Sequence, residues 1–270
     1  MDKKKLIIIA GIFILVVIIM VFNTKKIKAP LSQGFASSGS SSLISQAKEL
    51  EKNNELLNAK TMYIKLVNEF PSSGEIMNWQ KKIENLNIKL LFSSTITPNS
   101  VLYEIKPGDT LAKIAREFKT TVDLLMKSNN LINDRIVPGR KIKVWTAPFS
   151  IFVDKSDNML LLKCEEEIIK TYIVSTGKNN CTPIGIFKIT NKLLNPTWFK
   201  AGAVVSSGSP ENVLGTRWMG FDLAGYGIHG TVEPKNLGKQ VTEGCVRMAN
   251  QEVEELYTII PAGTEVTLAD

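Results

Sequence analysis

Histidine is almost absent from this chain: His229 is the only one among 270 residues. Cysteine is nearly as scarce, with Cys164, Cys181 and Cys245 and no C-x-x-C pair. A zinc site built on nitrogen and sulfur needs several such ligands at close spacing, so no metal is expected and no cofactor is implied. Three cysteines give no disulfide framework, and Cys164 and Cys181, which fall in separate strand-like stretches, are not expected to pair. The chain also lacks any arginine-rich cluster interleaved with aromatics. Its formal charge of +7 is concentrated in residues 1–30 and 101–147, while residues 148–270 are net acidic. A broad basic face for nucleic acid is therefore not expected.

What is present begins with Leu6 to Phe22, an unbroken run of apolar and glycine residues flanked by Lys3, Lys4, Lys5 and by Lys25, Lys26, Lys28. As a helix it would be about 25 Å long, slightly short of a bilayer core, with lysines able to snorkel at both ends. Residues 1–30 read as a cytoplasmic tail and transmembrane signal anchor. A cleaved signal peptide is the rival, set against the absence of a small-x-small site directly after the run. The expected location is the cell membrane, crossed once, with the bulk of the chain on the periplasmic or extracellular side.

Residues 31–42 are rich in Ser and Gly and read as a flexible linker. From 43 to 95 the apolar spacing turns helical, with a turn at Asn53-Asn54, a stop at Pro71-Ser-Ser-Gly74 and a third amphipathic run over Ile76 to Leu91. Ala59, Tyr63 and Pro71 in this segment resemble a single tetratricopeptide-type repeat. One repeat builds no groove, so a spacer, a dimerisation element and a site for a protein partner all stay open.

Residues 101–146 read as strand, helix, helix, strand. Pro107-Gly108 turns the first strand, Asp109 or Thr110 caps the first helix, and a second helix begins near Thr121 and breaks at Asn129-Asn130. Lys141 to Trp145 closes the unit. The words Y-E-I-K-P-G-D-T-L and V-P-G-R-K-I resemble the LysM module. That resemblance implies binding of peptidoglycan glycan strands in a groove lined by Gly108, Asp109, Thr110 and Asn129. Turn and cap chemistry would select the first three residues equally well.

From Phe149 onward, strand patterns dominate and helical stretches are few, so a mainly β domain is expected over 148–270. Within it, Tyr226-Gly-Ile-His-Gly-Thr231 and Thr242-Glu-Gly-Cys-Val-Arg-Met248 place the lone histidine sixteen residues before Cys245. A nucleophilic thiol needs a neighbouring base or positive charge, and His229 is the side chain suited to supply the base. The flanking Gly230 and Gly244 allow close approach of main chain to a substrate carbonyl.

These two segments, with V-S-T-G-K, T-P-I-G-I-F and L-G-T-R-W-M-G before them, resemble the YkuD-type L,D-transpeptidase domain. The resemblance implies a sandwich-like β fold in a multi-domain chain, with Cys245 as nucleophile and His229 as base. It also implies that the Gly230 main chain orients the imidazole and that peptidoglycan stem peptides are the substrate. N-H groups of Gly244 and Cys245 are oxyanion-hole candidates. Arg247, Thr242, Tyr226 and Trp218 are candidates for holding substrate. Thr242 serves equally as a turn residue, and the two aromatics as core. The thioester at Cys245 would pass to an amine, giving transpeptidation, or to water, giving L,D-carboxypeptidation. A non-catalytic peptidoglycan-binding tether is the reading from another class. Glu243 departs from the histidine found in many family members, and a carboxylate turned inward there would raise the thiol pKa.

Overall fold

A computed structural model describes residues 36–200 and 202–270. The chain divides into two units, Met1–Ser42 and Leu43–Asp270. The anchor expected at Leu6 to Phe22, and the membrane contact with it, lie outside the described residues. Among the described residues no helix is long and apolar enough to cross a membrane.

Helix α1 (Ala36–Lys52) starts inside the stretch expected to be a Ser/Gly linker, so Ala36 to Ser42 is helical rather than open. Serine costs only about 0.5 kcal/mol relative to alanine in a helix, so the amphipathic turns that follow suffice to extend it backwards. Asn54 takes a left-handed φ of 60°, turning the chain into α2 (Leu56–Glu69), after which α3 (Ile76–Leu91) follows. Ala47, Ala59, Tyr63, Leu66, Trp79 and Leu86 form the core these helices share.

The middle module has the expected order. Strand β1 (Ser100–Glu104) pairs antiparallel with β2 (Lys141–Trp145), and α4 (Leu111–Glu117) and α5 (Val122–Ser128) lie between them in sequence. Thr110 and Thr121 cap the two helices, accepting the N-H of Lys113 and Leu124. Ile105, Leu111, Ile114, Leu125, Ile142 and Val144 fill the small core.

The C-terminal region is mostly β. Its main sheet uses β3 (Phe149–Asp154), β4 (Met159–Cys164), β5 (Glu167–Ile173), β7 (Gly185–Leu194), β10 (Arg217–Phe221), β11 (Gly227–His229), β13 (Val246–Arg247) and β14 (Glu265–Ala269). The strand order is β13-β11-β10-β7-β14-β3-β4-β5. The strands expected to make a sandwich-like fold are thus hydrogen-bonded into one eight-stranded sheet. Ten-residue β7 serves two neighbours, β14 through Gly185 to Lys188 and β10 through Ile189 to Leu194. Short pairs flank it: β6 (Thr176–Gly177) with β12 (Gln240–Thr242), and β8 (Trp198–Lys200) with β9 (Ala203–Val205).

One helix of ten residues lies within this mainly β region. Helix α6 (Asn250–Ile259) buries Val253, Leu256 and Ile259, one face at helical spacing, in the main core with Met219, Ile228 and Val246. It opens on Ala249 without a side-chain cap, which removes the usual start signal from the sequence.

The edge strand β5 is covered by the helical segment. Glu84 Oε1 accepts the Thr171 N-H at 3.0 Å, Asn87 Nδ2 donates to the Ile169 carbonyl at 3.0 Å, and Lys60 pairs with Glu167. Edge groups that would otherwise template another strand are thereby occupied. The middle module is fastened through Lys143, which is 2% exposed. Its Nζ donates to the carbonyls of Leu90 at 2.6 Å and Ser93 at 2.9 Å, at the C-terminus of α3. A buried ammonium at a helix C-terminus meets the negative end of the dipole. Leu124 of α5 joins the large core, and Thr121 Oγ1 donates to the Thr258 carbonyl of α6. The opposite end of the main sheet, where β10, β11 and β13 lie, carries the site described next.

Candidate active site

Strand β11 ends in His229, and β13 begins directly after Cys245. The two strands run parallel, aligning Ile228 with Val246 and His229 with Arg247. The Met248 N-H closes this pairing on the His229 carbonyl at 2.8 Å. Parallel pairing needs a crossover between the strands, and the sixteen-residue interval supplies it. His229, Cys245, Arg247, Thr242, Glu243 and Trp218 meet in one cavity of about 420 Å³, whose other wall includes Leu193, Pro196, Trp198 and Leu214.

His229 is 3% exposed. Its Nδ1 lies 2.7 Å from the Gly230 carbonyl oxygen. A carbonyl only accepts, so Nδ1 carries the proton and Nε2 keeps a lone pair. The ring stacks on Trp218, centroids 6.0 Å apart and planes 22° from parallel. Burial pushes the imidazole pKa down to about 4; the Gly230 carbonyl opposes the fall and the Arg247 guanidinium adds to it. At neutral pH the ring is therefore an uncharged base.

The Cys245 thiol is pushed above its ordinary value, first by burial and then by the nearby Cys181, while a backbone hydrogen bond at Gly227 and the Arg247 charge oppose the rise. The thiol donates to the Gly225 carbonyl at 3.5 Å. The resting pair is thus a thiol and a neutral imidazole lining one cavity. The positive charge that a thiolate would need is present in Arg247, and burial outweighs it.

Thr242 is a turn residue. Its Oγ1 donates to the Cys245 carbonyl at 2.6 Å and accepts the Gly244 N-H at 3.2 Å. The Gly244 N-H, expected with the Cys245 N-H as an oxyanion-hole donor, is thus engaged within the turn. Gly244 has a φ of +117°, and a Cβ there would stand 2.6 Å from Tyr226 Cε1. Tyr226 is partly buried, packs against the main core and stands where a Cβ at Gly244 would come, so it supports the nucleophile loop. Trp218 does line the cavity and also donates to Asn191 Oδ1 at 3.0 Å.

Arg247 reaches Glu233 Oε2 at 3.4 Å through one terminal nitrogen, while its buried Nε has no partner among the described residues. Glu243 turns outward. It is 88% exposed and paired with Lys178 at 2.9 Å, so the inward carboxylate that the sequence left possible does not arise. All three cysteines are free, Cys164 buried and Cys181 exposed.

In the middle module the expected sugar-binding residues are held by the fold to different degrees. Gly108, with φ +83°, and Thr110 are exposed, the latter as a helix cap. Asp109 Oδ2 accepts the Tyr103 hydroxyl and the Lys106 N-H. Asn129 is laced into the module: its amide bonds the carbonyls of Leu125 and Lys143 and the Lys143 N-H. A side chain so engaged fastens α5 to β2.

One residue at this site escaped the sequence reading. Asn250 Oδ1 accepts the Thr231 N-H at 3.0 Å and the Thr216 N-H at 3.3 Å, and it occupies the space a Cβ at Gly230 would need. A polar residue opening an uncapped helix carries no local signal of such contacts.

A family model described as the L,D-transpeptidase catalytic domain, YkuD, matches residues 148–268, and one for the LysM domain matches 103–145. A putative L,D-transpeptidase YkuD of Bacillus subtilis is 35% identical over 173 residues, covering 62% of this chain and 97% of the relative. Its namesake in Bacillus licheniformis is 36% identical over 177 residues, with coverage of 62% and 98%. A putative L,D-transpeptidase YqjB of Bacillus subtilis is 42% identical over 126 residues, with coverage of 44% and 70%. The His-Gly-Thr and Gly-Cys-Val-Arg segments meet at one cavity, and two of these relatives are matched over nearly their whole length; the chain belongs to the YkuD L,D-transpeptidase family.

Proposed function

We propose that the protein is a cysteine-dependent L,D-transpeptidase acting on peptidoglycan stem peptides. The observation that carries this reading is the neutral imidazole of His229, its Nδ1-H held by the Gly230 carbonyl, sharing a cavity with the Cys245 thiol. Cys245 Sγ attacks the carbonyl preceding a terminal D-alanine while its proton passes to His229 Nε2. The Cys245 N-H faces the charge that develops on the carbonyl oxygen. Collapse breaks the C-N bond, and the D-alanine amine leaves with the proton from Nε2. The thioester is then attacked by the amine of a second stem, which gives its proton to Nε2; the sulfur departs and recovers it. The product is a crosslink, or an attachment when the amine belongs to a wall-bound protein.

Arg247 Nε supplies a buried donor toward a substrate carboxylate or carbonyl. The apolar wall of Leu193, Pro196, Trp198 and Leu214 favours the acyl thioester over hydrolysis by limiting water. The LysM module brings the chain to glycan strands, and the run from Leu6 to Phe22 holds it at the membrane with the domains outside.

Mass spectrometry of the full-length protein with a tetrapeptide stem tests the reading. An acyl adduct on Cys245, released D-alanine and a crosslinked dimer are expected, all absent from Cys245→Ala. Release of D-alanine with trimmed monomer alone would assign an L,D-carboxypeptidase using water. No adduct and no release from a protein whose Cys245 thiol is intact would leave a peptidoglycan-binding tether.

A further inference from the structure

The peptide unit joining Gly230 to Thr231 has two faces that matter. Its carbonyl accepts the His229 Nδ1-H at 2.7 Å, and its N-H donates to Asn250 Oδ1 at 3.0 Å. A peptide group is planar and its C=O and N-H point in opposite directions. Whatever grips the N-H therefore fixes where the carbonyl points. The same Asn250 oxygen accepts the Thr216 N-H at 3.3 Å, one residue before β10, the strand that supplies Trp218 against the imidazole. The fit leaves no slack, because both Gly215 and Gly230 lack the Cβ that would collide with Asn250 Oδ1. On the other side of the glycine, the Gly230 N-H donates to the Arg217 carbonyl at 3.2 Å, so the segment is held from three directions.

We propose that Asn250 is a positioning residue for this site: by holding the Gly230-Thr231 peptide plane it selects the His229 tautomer that leaves Nε2 free to take the thiol proton. The catalytic consequence rests on the transpeptidase reading above; the tautomer selection does not. A ring freed from the Gly230 carbonyl would exchange protons between its two nitrogens, and only one form serves as base toward Cys245.

His229 is the sole histidine, so imidazole nitrogen NMR of the full-length chain reports this one ring without assignment ambiguity. Asn250→Ala removes the acceptor and Asn250→Asp keeps it. Both residues suit the first turn of a helix, alanine by propensity and aspartate by the dipole, so α6 is preserved. The wild type and Asn250→Asp are expected to show a protonated Nδ1 and an unprotonated Nε2. Asn250→Ala is expected to show averaging of the two nitrogens, with acylation of Cys245 slowed on the order of 100-fold while the melting transition stays cooperative. A wild-type tautomer in Asn250→Ala overturns the proposal, whether or not acylation slows, since slowing alone would be a packing effect. Averaging in folded Asn250→Asp would overturn it as well. Failure of the wild type to acylate would count against the transpeptidase reading and leave the tautomer result standing.

Discussion

The depressed basicity of His229 is the most demanding consequence of this geometry. Burial takes the imidazole to about 4, against about 6.5 for a free histidine. The active form in the proposed mechanism is the uncharged ring, so the acid limb of acylation should follow that value. At pH 5 a base of pKa 4 is about 90% uncharged, whereas one of 6.5 is about 3% uncharged. The two cases differ about 30-fold in rate at that pH while being nearly equal at neutral pH. The thiol is raised above its ordinary value, so no thiolate plateau should interrupt the profile between these limits. The assay is the initial rate of Cys245 acylation by a tetrapeptide stem, quenched and read by mass spectrometry from pH 3.5 to 8. A flat rate down to about pH 5, then a fall centred near 4, is expected. A fall centred near 6.5 would refute the argument, because it would mean that the ring is hydrated or paired as an imidazolium.

Two further outcomes follow from the same contacts. Gly244→Ala places a Cβ against Tyr226 at a φ of +117°, and should destabilise the fold by about 1–3 kcal/mol in thermal melts and slow acylation by displacing the Cys245 turn; wild-type stability and rate would show that the loop relaxes freely. Lys143 is buried and Lys192 half-buried, each donating to carbonyls at a helix C-terminus, and desolvation lowers both to about 8. Between about 8 and 10.5 the unfolded chain binds more protons at these positions than the folded one, so their contribution to stability rises with pH by up to about 1.4 kcal/mol per unit each. Denaturant melts at pH 8 and 9.5 should show a smaller rise for Lys143→Met than for wild type; an identical rise would remove the linkage assigned to Lys143.

The local signals carried a large part of the architecture. A cap at Asp109 or Thr110, a helix start near Thr121, the Pro107-Gly108 turn and the alternating strands marked the middle module because each is decided within a few residues. The helical runs ending at Glu69 and Leu91 were legible from apolar spacing for the same reason. Ala36 to Ser42 misled the reading, since composition argues for an open linker and helix propagation is set by the neighbouring turns. Helix α6 was missed although Val253, Leu256 and Ile259 recur at helical spacing, because it is short and uncapped amid strands.

At the site, the sequence by itself determined the chemistry available: one histidine, one cysteine sixteen residues on, and glycines where the main chain must come close. Their pairing depends on a parallel register between β11 and β13, which no local pattern specifies. Burial then decided the charge state, holding the imidazole neutral together with Arg247 and the thiol neutral despite it, since desolvation depends on everything packed around a group. Tertiary structure also set Tyr226 against the nucleophile loop, engaged the Gly244 N-H in its turn, turned Glu243 outward, and brought in Asn250. These are contacts between residues distant in the chain, and only the folded arrangement fixes which polar groups are already satisfied and which remain for the reaction.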